Sequence, residues 1–199
     1  EQAAVTASCS FATQGLAFVA LPFYFQTVLG RSEVETGLLM TPWPLVVAVM
    51  APIAGRLSDR YAAGMLGGIG LFILCLGLAL LALLPPDPGV FDICWRMALC
   101  GWGFGFFQAP NQKALLAAAP PHRAGGASGI VAQARLLGQT VGAALVALCF
   151  SLAGTQGGPA LGLAVGAGFA GLASIASFLR LMHDDPSRRP HPVDSLDLH

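Results

Sequence analysis

Long apolar runs alternate with short polar breaks along most of this sequence. Six runs, at about 4–28, 37–57, 62–84, 94–117, 126–153 and 159–181, are each predicted to form a helix. A helix rises about 1.5 Å per residue, so about 20 apolar residues cross the hydrocarbon of a bilayer. All six runs reach that length. The breaks carry turn chemistry, as in Pro85-Pro86-Asp87-Pro88-Gly89, Pro120-Pro121 and Gly157-Gly158-Pro159. Ser32-Glu33-Val34-Glu35 has the form of a capping box opening the second helix. Because the breaks are short, consecutive helices must run antiparallel.

Composition turns six helices into six membrane spans. Hydrophobic residues make up 55% of the 199 and charged residues 10%, against about 25% charged in a soluble domain. That is too few polar groups to cover a water-facing surface, so the apolar excess is expected to face lipid. The 25 glycines suit membrane helices that approach closely. Repeats at four-residue spacing, Gly101/Gly105, Gly138/Gly142 and Gly158/Gly162/Gly166, mark expected helix–helix contacts. A net charge of zero suggests no nucleic-acid partner. The five cysteines lack the paired spacing of a zinc site or a disulfide framework, and no metal or cofactor is expected.

Charge then sets a direction. Arg56, Arg60, Arg123, Arg180, Arg188, Arg189 and Lys113 fall at one end of the helices, Arg31 and Arg96 at the other. By the positive-inside rule, the loops at 59–64 and 118–125 and the C-terminal tail are expected in the cytoplasm. The chain starts at Glu1 and lacks a cleavable leader pattern, so it reads as a fragment of a larger protein. Residues 1–182 are expected to form the bundle and 183–199, rich in Pro, Asp, Ser and Arg, a disordered cytoplasmic tail.

Polar side chains are shared unevenly. The third helix holds none beyond Cys75, and the sixth only Ser174 and Ser177 within its apolar span. Helix one carries Thr6, Ser8, Ser10, Thr13, Gln14 and Gln26; helix four carries Gln108, Asn111, Gln112 and Lys113; helix five carries Gln133, Arg135, Gln139 and Thr140. Amides and charges are costly in hydrocarbon, so helices one, four and five are expected to line a cavity while three and six face lipid. Gln108, Asn111 and Gln112 share one face, with Pro110 beside them to kink the helix; Arg135 and Gln139 lie one turn apart. The competing reading is that these amides only join neighbouring helices. Arg135 and Lys113 stand near the cytoplasmic end, where long side chains snorkel.

Gly55-Arg56-Leu57-Ser58-Asp59-Arg60-Tyr61-Ala62 resembles the G-x-L-x-D-R-x-G loop signature of the major facilitator superfamily, with Ala62 in place of the last glycine. Gly55 is expected to permit tight packing, Asp59 to accept from a neighbouring helix N-terminus, and Arg60 to pair with an acidic group or lipid headgroup. Contacts of that kind, made in one state only, would latch a gate. Two further stretches, Leu21 to Gly30 with Glu35-Thr36-Gly37-Leu38-Leu39, and Pro120 to Gly129 with Arg135-Leu136-Leu137-Gly138-Gln139, resemble the C-terminal half of the EmrB/QacA-like drug:proton antiporters. The resemblance covers residues 1–182 and implies an all-α fold, one six-helix major-facilitator bundle.

What it further implies is proton-coupled efflux of drug-like or lipophilic compounds from the bacterial inner membrane, by alternating access with a missing N-terminal half. Gln14, Tyr24, Gln26, Gln108, Asn111, Gln112 and Gln139 would line the substrate cavity, and Gly55, Asp59 and Arg60 would form the gating loop. Phe23, Tyr24, Phe25, Phe104, Phe106 and Phe107 would offer surface to lipophilic cations. No acidic residue lies within a span, so a coupling carboxylate is expected in the other half. Rival readings are a permease of the same superfamily for metabolites or organic anions, and a six-helix scaffold without transport. A third, a rhomboid-like protease, rests on Gly126-Ala127-Ser128-Gly129 but lacks a histidine inside the sixth span. No enzymatic activity is expected.

Overall fold

The computed structural model describes residues 2–117 and 124–183. Its elements are helices α1 (Gln2–Phe23), α2 (Glu33–Met40), α3 (Pro42–Leu57), α4 (Ala63–Ala82), α5 (Val90–Ala117) and α6 (Ala124–His183). A π-helical turn, Tyr24–Val28, prolongs α1 just past Pro22. Proline lacks the N–H that continues an α-helical ladder, so the widened turn falls where that ladder is first interrupted. The expected capping box is present: Ser32 Oγ accepts from the Glu35 backbone N–H, and the Glu35 carboxylate accepts from that of Ser32. It starts the second span four residues earlier than the apolar run alone suggested.

α6 contains two spans. Gly154, at φ 70°, breaks it into arms at 124–153 and 155–183. Glycine adopts this left-handed conformation without the steric cost a side chain adds. The break therefore precedes the expected Gly157-Gly158-Pro159 turn, and Pro159 sits just inside the second arm. The proline beside the amide cluster on α5 likewise does not end its helix; α5 continues through Pro110.

The registers of contact give the topology. α1 and the first arm run parallel, since Gly15 meets Gln139 while Phe23 meets Phe150. The second arm runs antiparallel to α1, placing Gly162 by Ala20 and Gly166 by Leu16. α4 lies between the second arm and α5, and α3 packs on α5. At the α4–α5 crossing, a Cβ on Gly70 would lie 2.7 Å from the Gly103 carbonyl oxygen. Gly101 also packs tightly against the Trp43 backbone, and Gly105 lies less tightly, with a Cβ 3.2 Å from Val47 Cα, as their spacing suggested. Trp43 is fully buried, its ring 5.5 Å from Phe18 and 6.4 Å from Phe104.

Outward faces are apolar. Ile69, Phe72 and Leu76 on α4, and Leu172, Ile175 and Leu179 on the second arm, recur at helical spacing and are exposed. Both helices thus offer an exposed apolar face, and α4's other face is packed. There Ser174 donates to the Gly68 carbonyl at 2.9 Å and Ser177 to that of Gly64 at 2.8 Å. The few hydroxyls of these helices join them together. Among the described residues, Glu33–Leu57, Ala63–Ala82 and Val131–Leu179 are long and apolar enough to cross a membrane, the last including parts of both arms. α1 and α5 are not among the three, and α5 carries Asp92, Arg96 and Lys113.

Two contacts show which loops share an end. Arg31 donates to the Pro88 carbonyl at 3.3 Å, joining the loops after the π turn and after α4. Lys113 pairs with Asp59 and joins the loop after α3 to the end of α5. The loop at 118–123 and residues 184–199, expected in the cytoplasm, lie outside the described residues.

Candidate substrate cavity

The first arm of α6 presents Ser128, Val131, Ala132, Arg135, Leu136 and Gln139 at helical intervals, a single face. Facing it from α5 is Gln112. These seven residues line a cavity of about 450 Å³, within the range of drug-sized sites. Gln139 also reaches α1, its Nε2 donating to Gln14 Oε1 across 3.5 Å. The closeness of α1 and the first arm sets that pair. A Cβ on Gly15 would lie 2.6 Å from Gln139 Cα, and one on Gly142 would collide with the Ala12 carbonyl oxygen.

Three of the expected cavity residues, Gln14, Gln112 and Gln139, therefore converge. Gln108 is half-buried one turn away on α5, and Asn111, only 9% exposed, is turned further into the bundle. The structure does not bring Tyr24 and Gln26 to this place. They lie ten or more residues beyond Gln14, at least about 15 Å along the rod. Tyr24 is buried edge-on to Phe25, and Gln26 is exposed on the π turn. Nor do the aromatic residues line the cavity: Phe25, Phe104 and Phe107 are core. Phe23 stays exposed beside Phe150, at a ring distance of 5.2 Å. Proximity in sequence to a polar cluster says nothing of the side on which a ring emerges.

Ser128, part of the protease-like tetrapeptide in the sequence, stands on the cavity wall. The signal that finds it is the spacing from Ser128 through Arg135 to Gln139, read as one helical stripe.

The loop expected to gate differs from expectation in its contacts. A Cβ on Gly55 would meet nothing within 4 Å, so close packing inside this bundle does not require glycine there. Its carbonyl accepts from Ser58 Oγ at 2.6 Å, closing the last turn of α3. Asp59 pairs with Lys113 of α5, whereas the start of α4 at Ala62 has no side-chain cap. An opposite charge in reach outcompetes the partial charge of a helix end. Lys113, expected to snorkel, is thus tied to the loop, and Arg60 is exposed.

A model of the Major Facilitator Superfamily matches residues 3–197. The chain belongs to the major facilitator superfamily. Membership in this superfamily makes it a membrane protein of a transporter family and no enzyme, which removes the protease reading. It is 59% identical over 152 residues to the uncharacterized transporter YebQ of Escherichia coli, covering 76% of this chain and 33% of YebQ. The riboflavin transporter RibZ of Clostridioides difficile is 31% identical, over 72% of this chain and 31% of RibZ. The puromycin resistance protein pur8 of Streptomyces alboniger is 35% identical, over 65% and 26%. The chain thus spans about a third of the length of YebQ and RibZ. A solved bacterial homologue of the human drug peptide transporters PepT1 and PepT2 superposes with a TM-score of 0.71 at 17% identity. That match covers 100% of this chain and 45% of that one, and it establishes the superfamily's all-α fold.

Proposed function

We propose that this chain supplies the C-terminal six-helix half of a bacterial transporter that exports drug-like or lipophilic compounds by proton-coupled alternating access. The observation that carries the reading is the cavity between α5 and the first arm. It is drug-sized, it is lined by amides from two helices with Gln14 of a third bonded to one of them, and it lies in a bundle of the superfamily's fold. Relatives named for puromycin resistance and multidrug resistance support efflux of such compounds.

In this reading two bundles rock about the site. Gln112 and Gln139 offer hydrogen bonds to the compound, and Gln14 holds Gln139 in place. Gln108 and Asn111 set the shape of the α5 wall behind them. The coupling proton is carried by a carboxylate of the other half, because the acidic residues that fall within the described helices, Glu33, Glu35 and Asp92, lie in first turns at helix ends and none lines the cavity among the described residues. The loop at 55–60 and the C-terminus face the cytoplasm, and the Asp59–Lys113 pair holds the gate in one state.

A second reading, carriage of a metabolite, is favoured by the 31% identity to a riboflavin transporter. One experiment addresses both. Full-length transporter in proteoliposomes with an imposed proton gradient is offered a panel of drugs and of flavins. Gradient-driven movement of drugs, altered in its preference order by Gln112→Ala, is the expected result. Movement of flavins alone gives the second reading. Movement of drugs by the isolated 199-residue chain would overturn the division into halves.

A further inference from the structure

Among the described residues, the cavity wall carries one charge and no counter-charge. Arg135 stands on it, exposed, with Gln112, Ser128 and Gln139 as the polar companions and Val131, Ala132 and Leu136 as the apolar floor. Among the described residues, no aspartate or glutamate lines it. The nearby cation on α5, Lys113, is paired with Asp59 outside the cavity. A cationic compound would therefore meet a like charge with nothing on this wall to offset it. An oxyanion would meet a guanidinium fork, which matches a carboxylate or sulfonate with two parallel hydrogen bonds. The amide and hydroxyl groups are suited to add further hydrogen bonds at its edge.

We infer that this cavity selects amphipathic anions, compounds with a carboxylate or sulfonate on an apolar body, and that Arg135 is the residue that recognises the anionic group. The inference rests on the transporter reading above and names its substrate class, which departs from the lipophilic cations suggested by family resemblance. Its geometry explains the pairing of one charged residue with three adjacent apolar ones on a single helical stripe. The anionic end lies by Arg135, and the body lies along Val131, Ala132 and Leu136.

The test uses full-length transporter in proteoliposomes and three probes sharing one aromatic body: the carboxylate, its primary amide and the matching amine. Wild-type protein is expected to move the carboxylate with a kcat/KM at least about tenfold above that of the amine, the effect of one charge-assisted contact. Arg135→Gln is expected to lower the carboxylate-to-amide ratio about tenfold, through KM, and Arg135→Lys to recover part of it. Movement of the amine and amide in preference to the carboxylate overturns the inference and leaves the transporter reading standing. So does a carboxylate-to-amide ratio that Arg135→Gln leaves unchanged. Failure to move any probe, together with failure on the drug and flavin panel, overturns both.

Discussion

Replacing Gly142 by valine is expected to destabilise the full-length transporter by about 3 kcal/mol, at the upper end for overpacking, and to abolish transport. A single added carbon at this position already collides with the Ala12 carbonyl and lies 2.6 Å from the Leu16 backbone nitrogen. Neither obstacle is a flexible side-chain end, so the two rods must separate along their length. Separation also breaks the Gln139–Gln14 hydrogen bond, which at 3.5 Å has no slack to lose. Alanine at Gly142 should have the same sign and a smaller size. Gly168→Val is the control: the site is exposed and a Cβ there meets nothing within 4 Å, so melting in detergent should shift little. Equal losses at both positions would show that valine is harmful for its helix propensity and not for the crossing.

Reversing one charge of the Asp59–Lys113 pair is expected to slow transport several-fold while barely moving the melting temperature. The two side chains are 64% and 52% exposed, so the pair adds at most about 1 kcal/mol to stability. A gate poised between two states responds to the same energy as a population shift of about fivefold. Asp59→Lys places two like charges together and should favour the state in which the loop leaves α5; Lys113→Asp should do the same. The double exchange, Asp59→Lys with Lys113→Asp, restores attraction and should restore much of the rate. Single reversals that leave transport untouched would reduce the pair to a surface contact. A double exchange as slow as the singles would show that the residues act separately.

Much of this bundle could be read before any coordinates. Length and hydropathy are one-dimensional, so the six rods and the capping box at Ser32 and Glu35 were legible. The four-residue glycine spacing also forecast the crossings at Gly101, Gly105, Gly142, Gly162 and Gly166, because close approach demands a missing side chain whatever the partner. What was not legible is what depends on rotation about a helix axis. Tyr24 and Gln26 are a different case: they share α1's rod with Gln14, and the rise per residue, legible in the sequence, already carries them at least about 15 Å away. Ser174 and Ser177 looked like lone exceptions on a lipid-facing helix until their partners, carbonyls of Gly68 and Gly64, were in view. The partner of Asp59 lies 54 residues along the chain. Of the glycines at 154, 157 and 158, it is Gly154 that takes the positive φ and breaks the helix.

Accessibility of a single cysteine at position 139 tests the central claim, that the face between α5 and the first arm lines the water-filled path of a transporter. Gln139→Cys is introduced into full-length protein from which the native cysteines have been removed, with Leu172→Cys on the lipid face as the reference. Position 139 is expected to react with a small charged maleimide and to be protected by a transported compound, while position 172 stays unlabelled under both conditions. A cysteine at 139 that fails to react, or that reacts at the same rate whether or not the compound is present, would contradict the account.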